Sequence, residues 1–102
     1  MNRREIILQE INDNPGIPLN YYLLAVEERE IGNTKICIDL LESLIDRFPN
    51  YHPSYYTLAE LLYQLDRTDD GTRYAKLGII VANELQLPKV VKELESLIII
   101  ND

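Results

Sequence analysis

Apolar residues recur at spacings of three and four along most of the chain. No stretch alternates apolar and polar positions as a half-buried strand would. Ile7 and Ile11 lie four apart and predict a short amphipathic helix over 3–13, ended by Asn12-Asp13-Asn14-Pro15-Gly16. Pro18 opens a second helix running to about Ile31, because a missing N–H costs nothing in the first turn. Gly32-Asn33 breaks it, and Asn33 or Thr34 caps a third helix over about 35–47, with Ile36, Leu40, Leu41, Leu44, Ile45 and Phe48 at helical spacing. Pro53 repeats the opening device for a fourth helix, about 54–65. Thr68 or Asp69 caps a fifth, longer helix, about 70–86. Pro88 opens a sixth, about 89–99, with a stripe of Val91, Leu94 and Ile98. Glycine inside a helix costs about 1 kcal/mol against alanine, so Gly71 and Gly78 within helix five predict a close helix–helix contact, joined by Ala75. The expected fold is all-α, with six helices, short turns and no internal domain boundary.

The pattern also repeats. Tyr21-Tyr22-Leu23-Leu24-Ala25 returns 34 residues later as Tyr55-Tyr56-Thr57-Leu58-Ala59, with four of the five positions identical. The same offset relates Pro15 to Pro49, Thr34 to Thr68, and Ile11 to Ile45 to Ile79. A period near 34 residues is that of a helix–turn–helix solenoid.

These residues resemble the tetratricopeptide repeat family. Its pattern is an aromatic early in the first helix, then a leucine and a small residue, a small and a bulky residue in the second helix, and a closing proline. Tyr21, Leu24, Ala25, Cys37, Leu41 and Pro49 follow it in order, and Tyr55, Leu58, Ala59 and Gly71 follow it again. The resemblance implies a right-handed α-α superhelix of helix pairs. Its parts would be a degenerate half-repeat over 1–17, repeats over 18–51 and 52–87, and a capping helix over 88–102. Three departures stand out. Glu28 occupies a place where an apolar or aromatic residue is usual, Ala75 is small where bulk is usual, and repeat two is closed by Pro88 rather than at Asn83.

Seven tyrosines against one phenylalanine and no tryptophan make tyrosine the distinctive residue. Tyr21 and Tyr55, each with a leucine three residues on, are expected in the core of their helix pairs. Tyr22, Val26 and Arg29 form a second stripe, turned about 100° from the first, and Tyr56, Glu60 and Tyr63 repeat its spacing. In the family such a stripe lines a concave groove. The resemblance implies that Leu19, Tyr22, Val26, Arg29, Tyr56, Glu60, Tyr63, Gln64 and Lys92 line one here and hold a peptide. The competing expectation is that these tyrosines pack against helix six or lie along the surface. The lysine and asparagine set by which some members clamp a chaperone tail is absent, since Tyr22, Val26 and Thr57 stand in three of its places.

Net charge narrows the partners. At −7 the chain repels phosphate backbones and anionic lipid surfaces, so neither nucleic acid nor membrane is expected. Apolar residues at 46% and charged residues at 26% give no sign of disorder. The first ten residues carry an apolar run of only three, unlike a signal peptide. One cysteine, Cys37, fits a reducing cytoplasm and is expected as a buried packing thiol. One histidine, His52, before Pro53, is expected at a cap or loop, and with one cysteine it makes no metal site. No serine has a nucleophile's context, and Glu27-Glu28 and Asp69-Asp70 are adjacent pairs that point about 100° apart. The expectation is a non-catalytic protein without a cofactor, binding another protein or peptide. The tail Leu97-Ile98-Ile99-Ile100 supplies the alternative, a homo-oligomeric subunit that self-associates through Ile98–Ile100, unless the tail folds back onto helix five.

Overall fold

A computed structural model describes residues 1–102. It is all-α: α1 (Arg3–Asp13), α2 (Pro18–Glu30), α3 (Thr34–Arg47), α4 (Pro53–Gln64), α5 (Thr68–Glu84) and α6 (Pro88–Asn101). Four of the helix starts have a local chemical cause. Pro18, Pro53 and Pro88 begin α2, α4 and α6, at positions whose N–H would be unpaired anyway. Asn2 caps α1 by accepting from the Glu5 N–H at 2.8 Å.

Three turns share one construction. Gly32, Asp66 and Gln86 have φ of 89°, 59° and 59°. The residue after each donates its N–H back across the helix end, Asn33 to the Glu28 carbonyl, Arg67 to Leu62 and Leu87 to Ala82, at 2.8–2.9 Å. This is the left-handed closure that glycine favours. Only the first turn uses glycine. Replacing Asp66 or Gln86 with glycine is expected to raise stability by about 0.5–1 kcal/mol, more at Gln86, because aspartate tolerates this conformation better. Urea unfolding followed by circular dichroism checks it, and a loss of stability in both variants would refute it.

The helices form two compact units, Met1–Phe48 and Pro49–Asp102. In the first, α2 packs on α3 and, less extensively, on α1. Ile7, Ala25, Cys37, Leu41 and Leu44 are buried in it. In the second, α5 packs on α4 and α6. α4 is buried on nearly every side, from Ser54 to Tyr63, whereas α5 buries one stripe of Gly71, Tyr74, Ala75, Gly78 and Ala82. The glycines mark the closest approaches, as the sequence predicts. A Cβ on Gly78 would lie 2.7 Å from the Tyr55 Cβ and 2.9 Å from the Leu94 Cδ1. One on Gly71 would lie 3.0 Å from the Tyr63 ring. The tail neither hangs free nor folds back. α6 runs through it, burying Leu97 and half-burying Ile98, while Ile99 and Ile100 stay 73% and 78% exposed.

Candidate functional site

Adjacent tyrosines divide between two faces. The Tyr21 hydroxyl donates to the Pro15 carbonyl at 2.6 Å, and the Tyr55 hydroxyl donates to the Pro49 carbonyl at 2.7 Å. Each pair is six residues apart, and the second lies 34 residues after the first. A phenol thereby ties the start of a helix to the loop before it. Tyr55 is buried at 3% exposure. Tyr21, expected in the core, is only half-buried, stacking on Phe48 at 6.0 Å with the Arg47 guanidinium 4.8 Å from its ring. The recurrence of Pro15/Tyr21 as Pro49/Tyr55 is the sequence signal from which these tethers could have been read.

Tyr56 is half-exposed beside the buried Tyr55, and Tyr22 is half-exposed as Tyr21 is. On α2, Leu19 is exposed and Tyr22, Val26 and Arg29 are half-exposed. On α4, Tyr56 and Glu60 are half-exposed and Gln64 is exposed. Lys92 is exposed on α6, on the side away from Leu94 and Leu97. Each unit therefore presents part of the expected set. The exception is Tyr63, which is a correction. It is 8% exposed, its ring covers Gly71, and its hydroxyl shares a 2.7 Å hydrogen bond with the Thr72 Oγ1. The missing side chain at Gly71 opens the space, and a ring with a hydroxyl partner fills it. Tyr63 is a packing residue between α4 and α5, not a lining one.

Glu28, the departure from the repeat pattern, is 1% exposed. Its carboxylate accepts from the Asn33 amide at 2.7 Å and from the Arg4 guanidinium. These bonds, Asn33 first and Arg4 second, hold the Glu28 carboxyl below the usual carboxylate range, against burial, which would raise it. Asn33 stands at the start of α3, yet its side chain does not cap that helix. It serves Glu28 instead. One buried carboxylate thus joins α1, α2 and the turn into α3. Arg3 and Glu27 add an outer ion pair at 3.6 Å.

The chemistry these faces offer is packing and hydrogen bonding. The half-exposed stripes carry phenols, a guanidinium and a carboxylate. Burial pushes the Cys37 thiol up, partly offset by Arg29, which makes it a poor nucleophile. His52 stands before α4 and makes no side-chain cap. No three His, Cys, Asp or Glu side chains come together where a metal could sit. No helix is long and apolar enough to cross a membrane.

Solved structures of tetratricopeptide repeat domain proteins are similar to this chain. A solution NMR structure of a tetratricopeptide repeat domain protein from Salinibacter ruber superposes with a TM-score of 0.83 at 34% identity, over 87% of this chain and 90% of that one. A crystal structure of a tetratricopeptide repeat domain protein from the same organism gives 0.78 at 34% identity, over 83% and 96%. No protein-family model matches the chain, and no curated protein does.

Proposed function

Because this chain belongs to the tetratricopeptide repeat family, we propose that it is a non-catalytic interaction module that holds an extended or helical segment of another protein. The contacts are the outer stripes of its repeats: Leu19, Tyr22, Val26 and Arg29 on α2, and Tyr56, Glu60 and Gln64 on α4, with Lys92 on α6. The observation that carries this reading is the pairing of Tyr22 with Tyr56. Both are half-exposed at the same place in successive repeats, while Tyr21 and Tyr55 beside them are tied to proline carbonyls. A half-exposed tyrosine on a rigid helix offers large apolar area and a hydroxyl at low entropic cost, the usual make-up of a binding hot spot.

The test uses a peptide selected from a displayed library against the whole chain. Backbone amide shifts on binding should cluster at Tyr22, Val26, Arg29, Tyr56 and Glu60. Changing Tyr22 and Tyr56 together to serine should weaken binding by about 100-fold, from roughly 1.4 kcal/mol lost at each ring, with helicity unchanged. Shifts confined to α5 or to the end of α6 would overturn the assignment.

One observation favours a second reading. Ile99 and Ile100 are the most exposed isoleucines of the chain, and they neighbour each other on α6. In this reading the end of α6 docks on another subunit. Changing both to serine would then abolish self-association and leave peptide binding intact.

A further inference from the structure

The outward face of α5 plays no part in the peptide reading. Its centre is a seam of four residues, Arg73, Leu77, Ile80 and Glu84, at spacings of four, three and four. That is the rhythm of a helix meant to meet another helix. Elsewhere α5 buries its opposite stripe against α4 and α6. Leu77 and Ile80 are nevertheless 39% and 54% exposed, and Arg73, Lys76 and Glu84 are exposed beside them. The seam borders a shallow, open depression lined by Asp69, Thr72, Arg73, Lys76, Leu77 and Ile80. It is too open to enclose a small molecule, but it gives side chains of a second helix somewhere to seat.

The order of charges selects the occupant. Along α5 the seam reads cation, apolar, apolar, anion. Reversed, it becomes anion, apolar, apolar, cation, which is its own complement. We propose that the α5 face docks on the α5 face of a second copy of this chain, antiparallel about a two-fold axis midway between Leu77 and Ile80.

In that arrangement Leu77 meets Ile80 of the second copy on both sides of the axis. Arg73 and Glu84 each lie five and a half residues from the crossing point, about 8 Å at 1.5 Å per residue. Arg73 therefore faces Glu84 of the second copy, and the reciprocal pair forms at the other end. Lys76 stands within a turn of the same carboxylate. The result is an isologous contact with an apolar centre and a charged rim. The Arg73 guanidinium is available for it. It leans over the Tyr74 ring at 4.5 Å and makes only a 3.9 Å exposed contact with Asp70. The net charge of −7 on each copy opposes any association, so this locally balanced seam is where two copies can approach. One helix-on-helix contact falls short of the roughly 1,200 Å² that stable complexes bury, so the dimer is weak and concentration-dependent. It uses none of the residues of the proposed stripes on α2 and α4, so two copies joined this way carry two sets of those contacts.

Sedimentation equilibrium between about 10 μM and 1 mM tests this. The wild-type mass should rise from 11.9 kDa toward twice that value. Ile80→Glu, and independently Leu77→Glu, should hold it at the monomer throughout, with the circular dichroism spectrum unchanged since both sites are exposed. Arg73→Glu should weaken the dimer about 10-fold, and the double exchange Arg73→Glu/Glu84→Arg should restore it, because the two charges meet only across the axis. Changing Ile99 and Ile100 to serine should leave the dimer intact. A wild type that stays at 11.9 kDa at 1 mM overturns the proposal. So does a mass rise that survives both glutamate variants, or a double exchange that rescues nothing. Peptide binding by a chain that stays monomeric would leave the peptide reading standing while this one falls.

Discussion

Gly78→Ala is expected to lower stability by about 2 kcal/mol, although the same change at an exposed helix position would raise it by about 1 kcal/mol. The reversal comes from one contact. The added methyl would sit 2.7 Å from the Tyr55 Cβ, an atom one bond from the α4 backbone. The far end of that side chain is fixed as well, by the hydrogen bond from its hydroxyl to the Pro49 carbonyl at 2.7 Å. Leu94 closes the other side at 2.9 Å. Relief therefore requires α5 to back away from α4 and α6 together. Overpacking of this kind costs about 1–3 kcal/mol, and here the upper end outweighs the helix gain. Gly78→Val adds two more carbons without the alanine gain and should cost more than about 3 kcal/mol. Gly71→Ala should be milder, because the atoms it meets, at 3.0 Å, belong to the Tyr63 ring rather than to atoms at the backbone. Thermal melts followed by circular dichroism read the series. A drop of about 10 °C is expected for Gly78→Ala, and a melting point at or above wild type would show that the helices separate freely there.

Glu28→Leu should lower the melting temperature by more than about 5 °C, even though leucine resembles what the repeat pattern usually places there. Leucine satisfies the apolar surroundings but leaves the Asn33 amide and the Arg4 guanidinium without their acceptor. Arg4→Ala should cost less, because the Arg4 side chain is 43% exposed and the Asn33 bond survives. The pH dependence follows from the direction of the shift. Glu28 titrates near 4.5 in the unfolded chain and lower in the native one. Its stabilisation is therefore complete at neutral pH, declines as the pH falls below about 4.5, and is gone once the pH has fallen through the native value. The gap in stability between wild type and Glu28→Leu should narrow in acid over that window. Urea titrations at a series of pH values measure the gap, and one that stays constant down to pH about 3 would remove the carboxylate from the explanation.

Much of the architecture was legible because it depends on local chemistry. Pro18, Pro53 and Pro88 mark three helix starts and Gly32 one turn, and such signals act within a few residues. The 34-residue echo of Tyr21–Ala25 in Tyr55–Ala59 added the helix–turn–helix period, and Gly71 and Gly78 announced close packing before any partner was known. The proposed stripes were legible only in part. Tyr22, Val26, Arg29, Tyr56 and Glu60 turn to the half-exposed sides of their helices, as their spacing predicts. Tyr63 shares that spacing but goes inward, because the residue opposite it is a glycine. Helical periodicity cannot report what stands across a helix interface. Glu28 was legible only as a departure from the repeat pattern. Its position calls for an apolar residue, and only the approach of Arg4 on α1 and Asn33 in the following turn makes a carboxylate tolerable there.

Local signals along the chain suffice for six helices in repeating pairs and for where most of them begin and turn. These follow from backbone restriction and from the 3.6-residue period, which are properties of neighbours along the chain. Packing between helices settles which side chains are taken up inside. Tyr55 is spent on a proline carbonyl and on the wall against Gly78, and Tyr63 on the floor over Gly71. Glu28 is spent on an arginine twenty-four residues away. Such pairings depend on the distance between helices, and that distance is set by the smallest residues at each crossing, a quantity that a linear pattern does not contain.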